Sequence, residues 1–144
     1  MKRQDVVLRF SRIVLVLVAG ILLLIARKDL FDPGGASAER GIVLSTGMGR
    51  TIARVGLGGF PLACAIVVAA CIPVARRVRY GLWFVIALFG TVLFVRLAGA
   101  VADKSLADNV PLIIPEVVFL TLTTTALILG RRTKPVPHTP REGC

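Results

Sequence analysis

Four stretches of this chain run nearly free of formal charge, and they constrain its fold more than any other feature. They are Ile13–Ala26, Val55–Ala75, Tyr80–Val95, and Asn109–Pro115 resuming as Val117–Gly130. A helix crossing a bilayer core of about 30 Å needs roughly 20 mostly apolar residues. Val55–Ala75 meets that length unaided, Val110–Leu129 with one acid inside it, and Tyr80–Ala102 if Arg96 is tolerated. The first run is short, so its helix is expected to begin near Val7 and to hold Arg9 and Arg12 at the boundary, where long basic side chains reach the headgroups. The chain therefore reads as an all-α integral membrane four-helix bundle. The expected helices cover about 7–26, 54–75, 80–101 and 110–130, with an outer loop at 27–53 and a cytoplasmic tail at 131–144. Hydrophobic residues at 56% of the chain fit a membrane domain better than a soluble one.

The N-terminal stretch also has the form of a signal peptide, a basic segment followed by an apolar core. The small-residue pattern Ala36-Ser37-Ala38 stands well beyond that core, across Arg27, Lys28 and Asp29. An uncleaved first helix is the expected outcome.

Charge orients the bundle. Lys2, Arg3, Arg9 and Arg12 lie at the N-terminal end, Arg76, Arg77 and Arg79 fall between the second and third helices, and Arg131, Arg132, Lys134 and Arg141 follow the fourth. These eleven basic residues share one side. Six share the other: Arg27, Lys28, Arg40, Arg50, Arg54 and Lys104. Short basic loops stay in the cytoplasm, so both termini are expected there. The net charge of +10 is explained by such clusters and by anionic lipid headgroups. No nucleic-acid partner is expected. The expected partners are the lipid bilayer and either further copies of the chain, as a homo-oligomer, or other membrane subunits.

Little in the sequence points to catalysis. The three cysteines and single histidine lack a zinc-type spacing, and no glycine-rich phosphate loop is present. No cofactor and no metal are expected. Cys64 and Cys71 lie seven residues apart on one helix, about 10 Å by rise, which is too far for a disulfide. They read as small residues at a packing face. No nucleophile–base pair is in view, and the only histidine, His138, is in the tail.

The informative polar residues are those at membrane depth. Counted from Tyr80 at 1.5 Å per residue, Arg96 lies about 24 Å along the third helix, near the outer boundary. Glu116, on the returning fourth helix, lies about 9 Å below that boundary. Arg54 enters with the second helix and Asp103 closes the third. Arg54, Arg96, Asp103 and Glu116 are thus the candidate polar cluster, with Arg96 expected to meet Glu116, because facing an opposite charge removes much of the cost of an intramembrane one. Gly56, Gly59, Ala63, Gly90 and Gly99 are the candidate small residues for close helix packing. Thr121, Thr123, Thr124 and Thr125 are placed to bond their own helix carbonyls. Pro61, Pro73 and Pro115 are expected kinks, Asp32-Pro33-Gly34-Gly35 a turn, and Ile42–Arg54 a short surface segment.

The segments "RVGLGGFPLACA", "VRLAGAVADKS" and "PEVVFLTL", the last followed by two arginines, together resemble the small four-helix bacterial membrane proteins related to DoxX. The resemblance is to the branch known as domain of unknown function 4345 and runs from about Thr51 to Arg132. It rests on Arg54 before a glycine pair, Arg96 with Gly99 and Asp103, and Glu116. It implies four helices and an inner-membrane location, and no reaction. The resulting expectation is a non-enzymatic subunit, scaffold or accessory component with a polar cluster near the outer face. The alternative is binding or transfer of a small lipophilic molecule such as a quinone or lipid.

Overall fold

The computed structural model describes residues 3–132. Its elements are α1 (Arg3–Phe31), α2 (Pro33–Ala38), α3 (Gly47–Ala53), a π-helical segment (Arg54–Gly59), α4 (Phe60–Cys71), α5 (Ala75–Ala102) and α6 (Leu106–Arg132). No strand occurs among the described residues. Among the described residues, four helical rods are long and apolar enough to cross a membrane: Gln4–Phe31, Gly47–Cys71, Ala75–Ala102 and Leu106–Gly130. The protein is an all-α integral membrane four-helix bundle.

α1 is central, bordering α4, α5 and α6. Its buried positions are Ser11, Val14, Leu15, Val18, Leu22, Ala26 and Asp29, a stripe at steps of three and four along one face. Leu15, Val18 and Leu22 meet Cys64, Ala65 and Val68 of α4, Val78, Leu82 and Val85 of α5, and Ala126 and Leu127 of α6. The opposite face is equally apolar, with Ile13, Val16, Leu17, Leu23 and Leu24 exposed. That surface suits lipid, where an outward leucine costs nothing. Polar residues at the ends, Asp5 in the first turn and Lys28 in the last, match the helix dipole. They let the helix run past the apolar stretch at both ends.

The connections differ from the expected ones. Residues 27–53 are only partly loop, because α1 continues to Phe31 and α2 and α3 occupy much of the rest. Asp32-Pro33-Gly34-Gly35 starts a helix in place of a plain turn: the Asp32 side chain accepts from the Gly35 amide at 2.9 Å, and Pro33 fills the first turn, where no amide is needed. A Cβ at Gly35 would lie 2.2 Å from Asp32 Oδ2, so a larger residue there would make the capping carboxylate shift. The chain leaves α2 through Gly41, at φ 74°, with the Ile42 amide reaching back to the Ser37 carbonyl.

Thr46 caps α3 through the Gly49 amide, and α3 runs straight into the second membrane rod. Part of the stretch expected to rest on the surface is therefore the beginning of a spanning helix. The π segment ends just before Pro61, with the Phe60 amide bonded to the Val55 carbonyl. Pro61 has no amide to donate, and the widened turn absorbs that loss without ending the helix.

Pro73 does end one. It sits in the three-residue link between α4 and α5, and its carbonyl accepts from Arg12 Nη2 at 3.0 Å. Arg76, Arg77 and Arg79 consequently belong to the first turns of α5, not to a loop. At the other end, α5 and α6 are joined through Lys104 at φ 52°, with the Ser105 amide bonded to the Ala100 carbonyl. α6 begins at Leu106, earlier than expected, and stays helical through Pro111 and Pro115. Three of the four threonines, Thr121, Thr123 and Thr125, donate to the carbonyl four residues back. Lys134, Arg141, His138 and Cys144 lie outside the described residues, as does most of the expected tail.

Close packing falls on glycines other than those expected. A Cβ would meet nothing within 4 Å at Gly56, Gly90 or Gly99, and at Gly59 only its own helix backbone, while Ala63 is exposed. The tight positions are Gly58, where a Cβ would come 2.8 Å from Leu30 Cγ, and Gly81, where it would come 2.9 Å from Cys71 Cβ. The reason is rotational. Gly58 and Gly81 face neighbouring helices, and Gly56, Gly90 and Gly99 face outward or into gaps.

Candidate functional site

The end of the bundle formed by the α1–α2 turn and the α5–α6 turn, here termed the loop end, collects charge at membrane depth. Arg96 of α5 and Glu116 of α6 form a forked ion pair. Arg96 Nε donates to Glu116 Oε1 at 3.0 Å and Oε2 at 3.1 Å, and Nη2 donates to Oε1 at 2.8 Å. The Glu116 side chain is 10% exposed and that of Arg96 27%. Phe89 and Phe119, one turn from Glu116 on its helix, stack at 5.8 Å between ring centres and set the same α5–α6 register. Arg96 Nη1 makes no hydrogen bond among the described residues, so one donor group of the fork stays available.

Arg54 and Asp103 do not join this pair. Both are exposed, and neither forms an ion pair among the described residues. Arg54 opens the π segment on its outward side, and Asp103 lies just past the last turn of α5, where the chain reverses.

A second pair takes their place. Asp29, 1% exposed at the foot of the α1 stripe, receives Arg40 through Nη1 to Oδ1 at 2.5 Å and Nη2 to Oδ2 at 3.0 Å. The bonds to Asp29 raise the Arg40 guanidinium above its usual pKa, against the smaller opposing effect of burial. Arg40, a cation in any case, sits over a buried carboxylate. Beside it, Lys28 and Glu39 pair on the surface, and Ser37 is fully buried with an Oγ that finds no partner among the described residues. The signal for Asp29 lay in the steps of three and four from Leu22 through Ala26. It is hidden when the helix is ended at the last uncharged residue.

The two pairs line one cavity of about 350 Å³. Asp29 and Arg40 contribute one polar wall and Arg96 and Glu116 another, with Leu22, Ile25, Leu57, Phe60, Leu88 and Val92 among the apolar walls. Two guanidinium groups and two carboxylates leave the site with no net formal charge. It offers N–H donors and carboxylate acceptors on an otherwise apolar surface. Among the described residues, no three histidine, cysteine, aspartate or glutamate side chains group closely enough to hold a metal ion. No protein-family model, curated protein or solved structure matches the chain.

Proposed function

We propose that this is a non-enzymatic accessory protein of the bacterial inner membrane that holds a small lipophilic molecule with an uncharged, hydrogen-bonding head. A quinone or an uncharged lipid has that chemistry. The observation that carries the reading is the shared cavity: two arginine–carboxylate pairs, from four different segments of the chain, face one apolar space. A pair serving only to pin α5 to α6 needs neither a second pair nor a void beside it. Ligand sites of about 300–1,000 Å³ combine apolar walls with a few convergent polar groups, as here. The neutral charge balance favours a carbonyl or hydroxyl over a phosphate, since each guanidinium already faces a carboxylate. The resemblance to DoxX-like proteins over Thr51–Arg132 supports the inner-membrane placement and supplies no reaction. The basic residues around Arg12 and Arg76 support cytoplasmic termini; reporters fused after Gly35 and after Arg132 should read outside and inside, and the reverse would refute the orientation.

The test is native mass spectrometry of the protein extracted with its own lipids. The expected result is a retained uncharged amphiphile, displaced when Arg96 is replaced by alanine. A protein that retains nothing and fails to take up added benzoquinone or monoacylglycerol probes has no such site.

A further inference from the structure

We infer that the cleft between α4 and α5 holds the apolar tail of the bound molecule and opens sideways to the bilayer, so that entry is lateral. This rests on the head site proposed above and adds a second, separable part to it. α4 and α5 meet tightly beside their link, where a Cβ on Gly81 would stand 2.9 Å from Cys71 Cβ. Toward the loop end they stand apart, leaving a second cavity of about 490 Å³. Ala63 and Val67 line it from α4, and Phe84, Ala87 and Thr91 from α5.

Continuity decides what fills it. Phe60, Cys64, Leu88 and Val92 border both this cavity and the charged one, so the two are neighbours with common walls. From Phe60 to Val67 the cleft follows α4 for about 10 Å at 1.5 Å per residue. Among the described residues, no charged one lines it. Ala63, Val67, Ala87 and Thr91 are exposed, so the cleft faces outward, where the surroundings of a membrane helix are lipid. For a head anchored at Arg96 and Glu116, these shared walls give the tail an apolar path into the cleft. Alanines at 63 and 87 keep it empty where larger side chains would close it.

The test uses the full chain in nanodiscs with two probes, a benzoquinone bearing no chain and its decyl derivative. Each variant is compared with wild type for the same probe, so that partition into the bilayer cancels. The variants are Ala63→Phe on α4 and Ala87→Phe on α5, both at exposed positions, with Ala70→Phe, outside the cleft, as control. The tail has apolar surroundings both in the cleft and in lipid, so the loss is steric: a phenyl ring overpacking the occupied cleft is worth about tenfold or more in affinity. Either cleft variant should therefore weaken the decyl probe at least tenfold, leave the chainless probe within about twofold, and show no such change in Ala70→Phe. Unchanged decyl binding in both cleft variants overturns the tail cleft while the head site stands. Loss of both probes in a variant with wild-type helical content also overturns it, since the cleft would then not be separable from the head site. If neither probe binds wild type, the head site itself fails and the inference falls with it.

Discussion

Removing either partner of the Arg96–Glu116 pair should destabilise the bundle, and removing both should cost less than the sum. Breaking a fully buried ion pair typically costs about 3–5 kcal/mol, because one charge is left without a partner. Here the two sides differ. Glu116 is 90% enclosed along its side chain, whereas Arg96 keeps 27% exposure and a long stem near the loop end, so it can swing toward the headgroups. Arg96→Ala should therefore cost about 3 kcal/mol and Glu116→Ala about 2 kcal/mol. The double variant should lose about 3 kcal/mol, which gives a coupling of about 2 kcal/mol, inside the range for residues in contact. Unfolding by a denaturing detergent, followed through the fluorescence of the single tryptophan, Trp83, would measure all three. Arg54→Ala and Asp103→Ala serve as controls and should each stay within about 0.5 kcal/mol, as exposed charges without partners do. Additive losses, with coupling below about 0.5 kcal/mol, would refute the pairing and the energetic reasoning together.

Two further predictions follow from the same packing. At the second pair the asymmetry is sharper: Arg40→Ala strands a carboxylate that is 2% exposed and should cost about 3 kcal/mol, while Asp29→Ala frees an arginine that is 39% exposed and should cost about 1 kcal/mol, the same unfolding assay deciding. Equal losses would mean that burial does not set the difference. Gly81→Ala should destabilise by about 1–3 kcal/mol through overpacking against Cys71 and Leu15, whereas Gly90→Ala and Gly99→Ala should be neutral or stabilise by up to about 1 kcal/mol. The reverse order would show that the outward glycines, not Gly81, mediate close approach.

The number and type of spanning helices were legible in the sequence because charge-free length is a direct requirement of the bilayer. The facing of those helices was not. In water the polar side of a helix reveals which side is buried, but α1 is apolar on both sides, so Leu15 and Leu24 look alike although one is buried and the other exposed. The same blindness chose Gly56 and Gly99 over Gly58 and Gly81. Helix ends failed for a related reason. Charge marks the end of an apolar run and not of a helix: Asp29 is helical and buried because Arg40, eleven residues on, returns to neutralise it. That return depends on the Asp32 cap and the left-handed Gly41, whose combined path no spacing rule supplies. Arg96 and Glu116 were legible because their depths follow from rise per residue alone and their charges demand each other. Arg54 and Asp103 stand near the same end of the bundle, but both are exposed and neither reaches the pair.

The most direct test of the account is the exchange of the two charges, Arg96→Glu combined with Glu116→Arg, read by native mass spectrometry on protein kept with its own lipids. The exchange preserves a pair between α5 and α6 while moving the donor fork from α5 to α6. The account predicts a folded protein, within about 1–2 kcal/mol of wild type, that has lost its retained amphiphile. An exchanged protein that keeps both its stability and its bound molecule would show that the pair only fastens the helices, and would contradict the binding site.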